Sequence, residues 1–401
     1  KSRAVSCRMH GWGYQPMMGE SDPQRTLFYP LSLEGFVPSE HPLRRIRPLI
    51  DEQAIRKACR PLYSDLGRPS IPPEQLFLAL IGGYLLGIPS ERKLVMELQC
   101  NMALRWFVGL NLDQDAWDAS TFSQNRRRRF DASGVLEKLF DETVKRAMAE
   151  GLVSRHVSAD GTLVRANASY KSFVPIEVAM DPDEYKKRLR AQDQDDEEGP
   201  QDPGNRAVDF RGEKRSNKTH RSATDHDCRF ASKGSTGTGA VPGYTVNALM
   251  ENRNRILMGI GVEIFRSSAS ETEGCTSLLD RAKRRLRFAP ATLGADKGYF
   301  SERFIAATLD RGIEPHIAVA ASGSQLAHAR VRMRERGAGY QLSQRCRKKI
   351  EELFGEAKDW HGMRRFKRRG LLRVREETLL IGWVLNLKRL ASLLPPAPDP
   401  A

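Results

Sequence analysis

The sequence lacks any apolar run long enough to span a membrane, and its first residues lack the apolar centre of a signal peptide. It also lacks a Cys-x-x-Cys pair, because its six cysteines are scattered along the chain, a pattern typical of a reducing cytoplasm. His220, His226 and Cys228 lie close together, but their spacing matches no common zinc module. We therefore expect a soluble cytoplasmic protein without membrane contact.

Acidic residues are in the minority. Lys and Arg number 65 against 50 Asp and Glu, which gives a formal net charge of +15. A surplus of this size favours a polyanionic partner, of which nucleic acid is the commonest, although an ordinary solvated basic surface would explain the charge alone equally well. With 401 residues and 40% hydrophobic residues, the chain is long enough for two or three folded domains.

The first 151 residues are predicted to be a short arm followed by helices. Residues 1–26 show no apolar period and are expected to be a disordered arm. Residues 27–151 are expected to form an all-α domain for DNA binding or assembly. The expected helices are 43–59, one opened by Pro72 and Pro73, one capped by Ser90, one bearing Arg126 to Arg129, and 135–151.

Residues 152–394 alternate between strand and helix patterns. The predicted order is a strand ending near Asp160, a hairpin at 243–265, a helix, a strand ending near Asp296, a helix, a strand at 314–320 and further helices. This order predicts an α/β fold with a mixed sheet flanked by helices. Residues from about 175 to 240 lose apolar periodicity and are expected to be a charged insertion outside the core, and residues 395–401 a tail.

One predicted helix carries an acid and two bases on the same stripe. Because a helix advances about 100° per residue, Arg347, Glu351 and Lys358 fall within roughly 40° of one another. The apolar stripe of the same helix is adjacent, so Glu351 is expected at the margin of the buried face. Glu352 and Glu356 are expected on the far side, in solvent. An ordinary amphipathic helix with surface charges explains this pattern equally well when it is considered alone.

Asp160 and Asp296 each close a predicted strand, where an α/β sheet presents its site. Brought together with Glu351, these two aspartates make three carboxylates that would repel one another and would either shift their pKa values or take up a cation. Oxygen ligands favour Mg²⁺ or Mn²⁺, and two such ions about 4 Å apart activate a water or a 3′-hydroxyl for phosphodiester displacement. Arg347 and Lys358 would then hold DNA phosphates, the first by a planar fork and the second as a point charge.

These residues resemble the three catalytic blocks of bacterial insertion-sequence transposases of the DDE type. The blocks are Asp160-Gly161-Thr162, Ala295-Asp296-Lys297-Gly298-Tyr299, and Arg347 with Glu351 and Lys358 of the Tyr-Arg-Glu-Lys signature. The resemblance continues through most of residues 27–394. Segments similar to the N-terminal part of that family are His41-Pro42-Leu43-Arg44, Ile71-Pro72-Pro73-Glu74, Ser90-Glu91-Arg92, Arg105-Trp106-Phe107-Val108-Gly109-Leu110 and Ser120-Thr121-Phe122.

The resemblance implies a ribonuclease-H-like catalytic domain, with Asp160, Asp296 and Glu351 as catalytic residues and metal ligands. It also implies two-metal cleavage of double-stranded DNA at terminal inverted repeats and joining of 3′-ends to target DNA. The chain departs from the family pattern at three positions. Gln344 replaces the signature's Tyr, so that hydroxyl is absent or supplied by Tyr340, while Phe300 replaces a common acid and Glu356 a common aromatic residue.

Two alternatives remain open from the sequence. One is a decayed or recruited transposase that binds DNA without cutting it, and the other is a stand-alone Mg²⁺-dependent nuclease of the same fold. For a transposase, a homodimer on DNA is expected, because two transposon ends must be held at once to be joined in one step.

Overall fold

The computed structural model describes residues 31–66, 70–88, 90–176, 209–210, 213–232, 239–267, 269–320, 326–335 and 337–396. The arm expected at residues 1–26 lies outside these ranges, as does most of the expected insertion. None of the described helices combines the length and the apolar character needed to cross a membrane.

The eight α-helices described before the first strand, which we call the N-terminal helices, pack around one apolar core. Asp51, Ser90, Asn101 and Asp118 each accept a hydrogen bond from a backbone N–H in the first turn of the helix that follows. The eight helices are α1 (Leu33–Phe36), α2 (Pro42–Ile46), α3 (Glu52–Cys59), α4 (Pro73–Leu85), α5 (Glu91–Cys100), α6 (Met102–Val108), α7 (Ala119–Asn125) and α8 (Val135–Ala149).

The prediction of a single helix over residues 43–59 is wrong. The chain instead forms α2, a 3₁₀ turn at Arg47–Leu49 and then α3. Pro48 has no N–H to continue the α-helical ladder, and the side chain of Asp51 restarts it by accepting from the N–H of Ala54 at 2.9 Å. The helix expected to begin at Ser90 is also divided in two. It ends at Cys100, because the side chain of Asn101 caps a new helix, α6.

The main sheet contains six strands, and two further pairs of short strands lie apart from it. The main-sheet strands are β1 (His156–Arg165), β6 (Arg229–Ala231), β7 (Val241–Glu251), β8 (Leu257–Glu263), β9 (Thr292–Ala295) and β10 (Glu314–Ile317). The smaller pairs are β2 (Phe173–Pro175) with β5 (His220–Ser222), and β3 (Asp209–Phe210) with β4 (Glu213–Lys214).

The order of the five longer strands across the sheet is β10, β9, β1, β7, β8. β7 is antiparallel to both β1 and β8, whereas β9 is parallel to β1 and β10 is parallel to β9. A meander of three strands extended on one side by two parallel strands is the ribonuclease-H-like arrangement. The prediction of an α/β fold with a mixed sheet and preceding helices is therefore confirmed.

Helices cover both faces of the sheet. On one face, a Cβ added to Gly259 or Gly261 of β8 would meet Leu278 of α9 (Ala269–Leu286). On the other face, Ile260 of β8 meets Gly382 of the long C-terminal helix. The helices of this second half are α9, α10 (Glu302–Asp310), α11 (Leu326–Arg334), α12 (Ala338–Trp360) and α13 (Leu371–Leu393). The result is three layers, with the sheet buried between helices.

The expectation that residues 175–240 lie outside the core is wrong for their described C-terminal part. Ser222, Asp225 and Cys228 are each almost completely buried. The carboxylate of Asp225 accepts hydrogen bonds from the Tyr244 hydroxyl at 2.6 Å and from the N–H of Gly370 at 3.0 Å. An aperiodic stretch is buried here with Oδ1 of Asp225 bonded to two donors, a pairing that apolar periodicity does not register.

The prediction that Glu356 lies in solvent on the far side of its helix is wrong. Its carboxylate is half-buried, forms an ion pair with Lys388 of α13, and lies 3.7 Å from Nε2 of His361. The hydrogen bonds from His361 and Lys388 lower the pKa of Glu356 from its usual 4.5 to about 2. This carboxylate therefore fastens the end of α12 to α13.

The Glu356→Gln substitution should lower the free energy of unfolding by about 2 kcal/mol at pH 7. Because the pKa of Glu356 is lower in the folded protein, its contribution is complete above pH 4.5 and is lost as the pH falls towards 2. Urea unfolding between neutral pH and pH 3 should show the difference between the two chains shrinking below pH 4.5.

Glu352→Gln is the matched control, because that carboxylate is 63% exposed and forms a surface ion pair with Arg255 at 2.7 Å. It should change the free energy of unfolding by less than about 1 kcal/mol. A pH-independent difference for Glu356→Gln would contradict the assignment of this ion pair.

Candidate active site

Asp160 lies in the middle of β1, and the prediction that it ends a strand is wrong. β1 continues to Arg165 because it pairs with β7 over its whole length, whereas β9 pairs only with residues 156–158. From Asp160 onward, the side of β1 that faces β9 therefore has no neighbouring strand in the described sheet. Asp160 is 7% exposed, and one of its carboxylate oxygens accepts the N–H of Gly161 at 2.8 Å.

Asp296 follows β9 directly, as the sequence predicted. Its side chain caps the 3₁₀ turn Lys297–Tyr299 by accepting the N–H of Gly298 at 2.8 Å. The capping bond fixes the direction of this half-buried carboxylate relative to the end of the strand. Since β9 runs parallel to β1, Asp296 lies at the edge of the sheet where β1 loses its neighbour.

Tyr299 reports that these two carboxylates are close together. Its side chain is fully buried, and its hydroxyl has no hydrogen-bond partner among the described residues. Burial raises the pKa of Tyr299 well above its usual range, and the nearby carboxylates of Glu271, Asp160 and Asp296 raise it further. Asp160, Asp296 and Glu271 thus act on one hydroxyl at the floor of this edge.

Helix α12 lies across β9 and β1 through two polar contacts. The amide of Gln344 donates to the carbonyl of Ala295 at 3.2 Å and also to the carbonyl of His316. The ammonium of Lys358 donates to the hydroxyl of Thr162 at 2.6 Å. Thr162 is two residues after Asp160 and so lies on the same face of β1. Glu351 is seven residues from Gln344 and seven from Lys358, so all three lie on one stripe of the helix.

The Glu351 carboxylate is exposed in the middle of that stripe. Its side chain is 62% exposed and its described partner is Arg347, whose guanidinium lies 3.4 Å away. The guanidinium of Arg347 also donates to the amide oxygen of Gln344 at 3.3 Å. The structure therefore brings Arg347, Glu351 and Lys358 to one stripe over the sheet edge, and it brings Lys358 into contact with β1.

Gln344 occupies the position of the signature's tyrosine, and Tyr340 lies four residues before it on the same helix. The hydroxyl of Tyr340 donates to the carbonyl of Ile317 at 2.8 Å, so it secures α12 to β10 and leaves the sheet edge to other groups. Gln344 secures α12 to the strand end that precedes Asp296. Both residues hold the helix in place, and neither hydroxyl nor amide contacts a carboxylate of the site within the described residues.

Glu271 is a carboxylate of this region that sequence reasoning missed. It stands in the first turn of α9, and a Cβ on Gly161 would come within 2.7 Å of its Cγ. Contacts this short leave room for glycine alone at position 161. The sequence signal is Gly161 itself, because a glycine next to Asp160 permits a close approach of a helix to the strand.

The donor chemistry of the site fits a divalent cation in part. Asp160 and Asp296 offer carboxylate oxygens, which Mg²⁺ and Mn²⁺ prefer. Within the described residues, no group of three or more His, Cys, Asp and Glu side chains is arranged to hold a metal ion. Glu351 would complete such a group by leaving Arg347, and an exposed ion pair of this kind contributes only about 0–1 kcal/mol.

Gly161→Ala should destabilise the fold by about 1–3 kcal/mol, because the new methyl group overlaps the side chain of Glu271. Adding Glu271→Ala should recover part of that loss, so the effects of the two substitutions should not be additive. Urea unfolding of the four chains of this double-mutant cycle measures the coupling.

Gly355→Ala, in the middle of α12 with open space beside it, controls for the glycine substitution. It should leave stability unchanged or raise it slightly. Additive losses in the Gly161 and Glu271 cycle would mean that the two residues do not approach each other as described.

Three solved assemblies of Mos1 transposase resemble this chain weakly. The pre-cleavage transpososome is 10% identical, with 82% of this chain and 79% of that chain covered and a TM-score of 0.19. The strand transfer complex is 9% identical, with 74% and 81% covered and a TM-score of 0.19. The paired-end complex with the left transposon end is 10% identical, with 74% and 82% covered and a TM-score of 0.20. TM-scores this low carry no argument about the fold. No curated protein matches the sequence.

Two family models match the sequence itself. A transposase domain (DUF772) matches residues 31–128, which include helices α1 to α7. A transposase DDE domain matches residues 205–387, a range that contains Asp296, Glu351 and Lys358 but begins after Asp160. The two matches occur in the order that the resemblance predicted and together account for most of the chain. The chain belongs to the DDE transposases of the insertion-sequence type.

Proposed function

We propose that this transposase cuts phosphodiester bonds at terminal inverted repeats and joins the resulting 3′-ends to target DNA. Asp160, Asp296 and Glu351 are the proposed catalytic residues and metal ligands, and Arg347 and Lys358 the proposed DNA-phosphate ligands. The observation that carries the proposal is the placement of α12 by two contacts, Gln344 with Ala295 and Lys358 with Thr162.

Those two contacts support a role for Glu351 through simple helix geometry. Residues 344, 351 and 358 are spaced by seven, so each step is about 10.5 Å along the helix and returns to nearly the same face. One contact lies beside Asp296 and the other beside Asp160. A residue midway between them on the same face overlies the gap between the two aspartates, which is where a third metal ligand is needed.

The proposed cofactor is a pair of Mg²⁺ ions, for which Mn²⁺ would substitute. When bound, the ions activate the attacking water or 3′-hydroxyl and stabilise the departing oxygen. The chain's own residues orient the DNA. Lys358, already held by Thr162, presents a point charge beside Asp160, and Arg347 presents a planar fork that exchanges Glu351 for a phosphate.

We propose double-stranded DNA as the partner, both as transposon end and as target, bound by a homodimer that holds two ends at once. We place the protein in the cytoplasm, which agrees with the five free thiols of the described cysteines. We also propose a helical DNA-binding or assembly domain at 27–151 and a catalytic domain at 152–394, with the arm and the tail outside them.

The direct test is nicking and joining of a duplex that carries the DNA flanking this gene, with Mg²⁺ or Mn²⁺ added. Asp160→Asn, Asp296→Asn and Glu351→Gln should each lower cleavage by more than about a hundredfold, since even second-shell partners of a metal contribute 10–100-fold. DNA binding should stay close to that of the unmodified chain, because the amides remove no positive charge.

Glu352→Gln is the control for Glu351→Gln, since it removes a neighbouring exposed carboxylate on another side of the same helix. Its cleavage should be unchanged. Salt-sensitive binding without cleavage by the unmodified chain would favour a decayed DNA-binding protein. Cleavage without joining of 3′-ends would favour a stand-alone nuclease, and full activity of Glu351→Gln would remove that residue from the site.

A further inference from the structure

A cleft of about 1080 Å³ lies between the N-terminal helices and the loop that joins α12 to α13. Among the described residues that line it, eight are Arg or Lys and one is acidic. The basic lining residues are Arg92, Arg126, Arg127, Arg365, Lys367, Arg368, Arg369 and Arg373. Serine, asparagine and glutamine side chains add neutral donors to the same walls. This chemistry suits an anion.

The loop wall of the cleft is held rigidly by its backbone. Lys367 and Arg368 each donate a backbone N–H to the carboxylate of Glu377, at distances of 3.1 to 3.2 Å. Glu377 itself is 1% exposed. The loop also pairs with the end of β1, since Phe366 donates to the carbonyl of Arg165 at 2.9 Å. A buried carboxylate thus fixes the loop and presents its row of cations into the cleft.

The opposite wall contains a buried guanidinium that is only half satisfied. Arg126 is 7% exposed, and one of its terminal nitrogens donates to Glu91 at 2.7 Å. The other terminal nitrogen is buried and has no partner among the described residues. A buried donor without an acceptor costs about 1–3 kcal/mol, more for a charged group. An anion in the cleft would satisfy it.

The charges in the cleft exceed what one small anion neutralises. Glu91 pairs with Arg126, and Asp131 pairs with Arg368 and Arg373. The other five basic lining residues form no ion pair with a carboxylate in the described part of the chain. They come from both walls, so a ligand with several separated negative charges is needed to reach all of them.

We propose that this cleft binds the sugar-phosphate backbone of DNA through several phosphates, independently of base sequence. The inference rests on the proposed function, because it takes DNA to be the substrate of the carboxylate site. Phosphate oxygens accept from Arg, Lys, Ser, Asn and Gln side chains, which are the residue types that line the cleft. The cleft positions the duplex, and Asp160 and its neighbours do the chemistry.

The path from the cleft to the carboxylates supports the same conclusion. Arg165, at the end of β1, is bonded to the loop wall, and it lies five residues from Asp160 on the same strand. Five strand residues span about 17 Å, close to five base-pair rises of B-DNA. Asp160 therefore lies about five base-pair rises from the loop wall of the cleft, a distance that a bound duplex can span.

The test is the salt dependence of binding to a short fluorescent duplex of arbitrary sequence, measured by anisotropy. The double variant Arg127→Gln with Arg369→Gln removes one exposed cation from each wall. Each phosphate contact contributes about 0.9 to the steepness of log K against log salt. Loss of two contacts should therefore make the slope less steep by about two units. The control variant Lys283→Gln with Arg284→Gln removes two exposed charges from the end of α9 and should leave the slope nearly unchanged.

Three results would overturn the proposal. Equal slopes for both double variants and the unmodified chain would exclude phosphate contacts in the cleft. Equal losses in both double variants would mean diffuse attraction by surface charge. Displacement of the duplex by inorganic phosphate at matched phosphate concentration, in the unmodified chain alone, would mean a small-anion site.

The same chains separate this proposal from the proposed function. If the cleft variant keeps both the slope and metal-dependent cleavage, the cleft assignment fails and the catalytic proposal stands. If the unmodified chain does not cleave, but the slope of the cleft variant falls by two units, the cleft assignment stands and the catalytic proposal fails. An unmodified chain that binds no duplex overturns both.

Discussion

The site depends on unequal strand pairing along β1. β7 pairs with β1 over nine residues, but β9 pairs with only three. β1 is thus held in the sheet by β7, while its other side pairs with no described strand beyond Ser158 and meets the loop before α13 only at Arg165. Asp296 can then stand at the end of the short strand and face that opening, and α12 can reach down to Thr162. A longer β9 would pair with the backbone of β1 and cover Asp160, where we propose that DNA is cut.

The negative charges of the carboxylate site and the positive charges of the cleft lie in different parts of the fold. Asp160, Asp296 and Glu271 all raise the pKa of the buried Tyr299, and negative charges in one region repel phosphate. The loop before α13 is bonded to the end of β1 and lines the cleft with cations. In the proposed function, attraction at the cleft would hold DNA against the repulsion of the carboxylates.

The sequence predicted the architecture well because the signals it carries are local. Capping by Ser90, Asp118 and Ser301, the hairpin of β7 and β8, and Asp296 after its strand are each specified within a few residues. What it could not predict are long-range pairings. The continuation of β1 past Asp160 depends on β7, the burial of Glu356 on Lys388, and the approach of Glu271 on Gly161. Each of these partners is more than 30 residues away along the chain.

The C-terminal helix α13 connects both halves of the molecule. It packs on β8 and on α8, and the indole of Trp383 donates to the hydroxyl of Thr143 at 2.8 Å. Glu377, on the same helix, holds the basic loop. During synthesis on the ribosome, the earlier helices and strands emerge first and begin to collapse without it. Neither the helical core nor the cleft is therefore complete until α13 has left the exit tunnel.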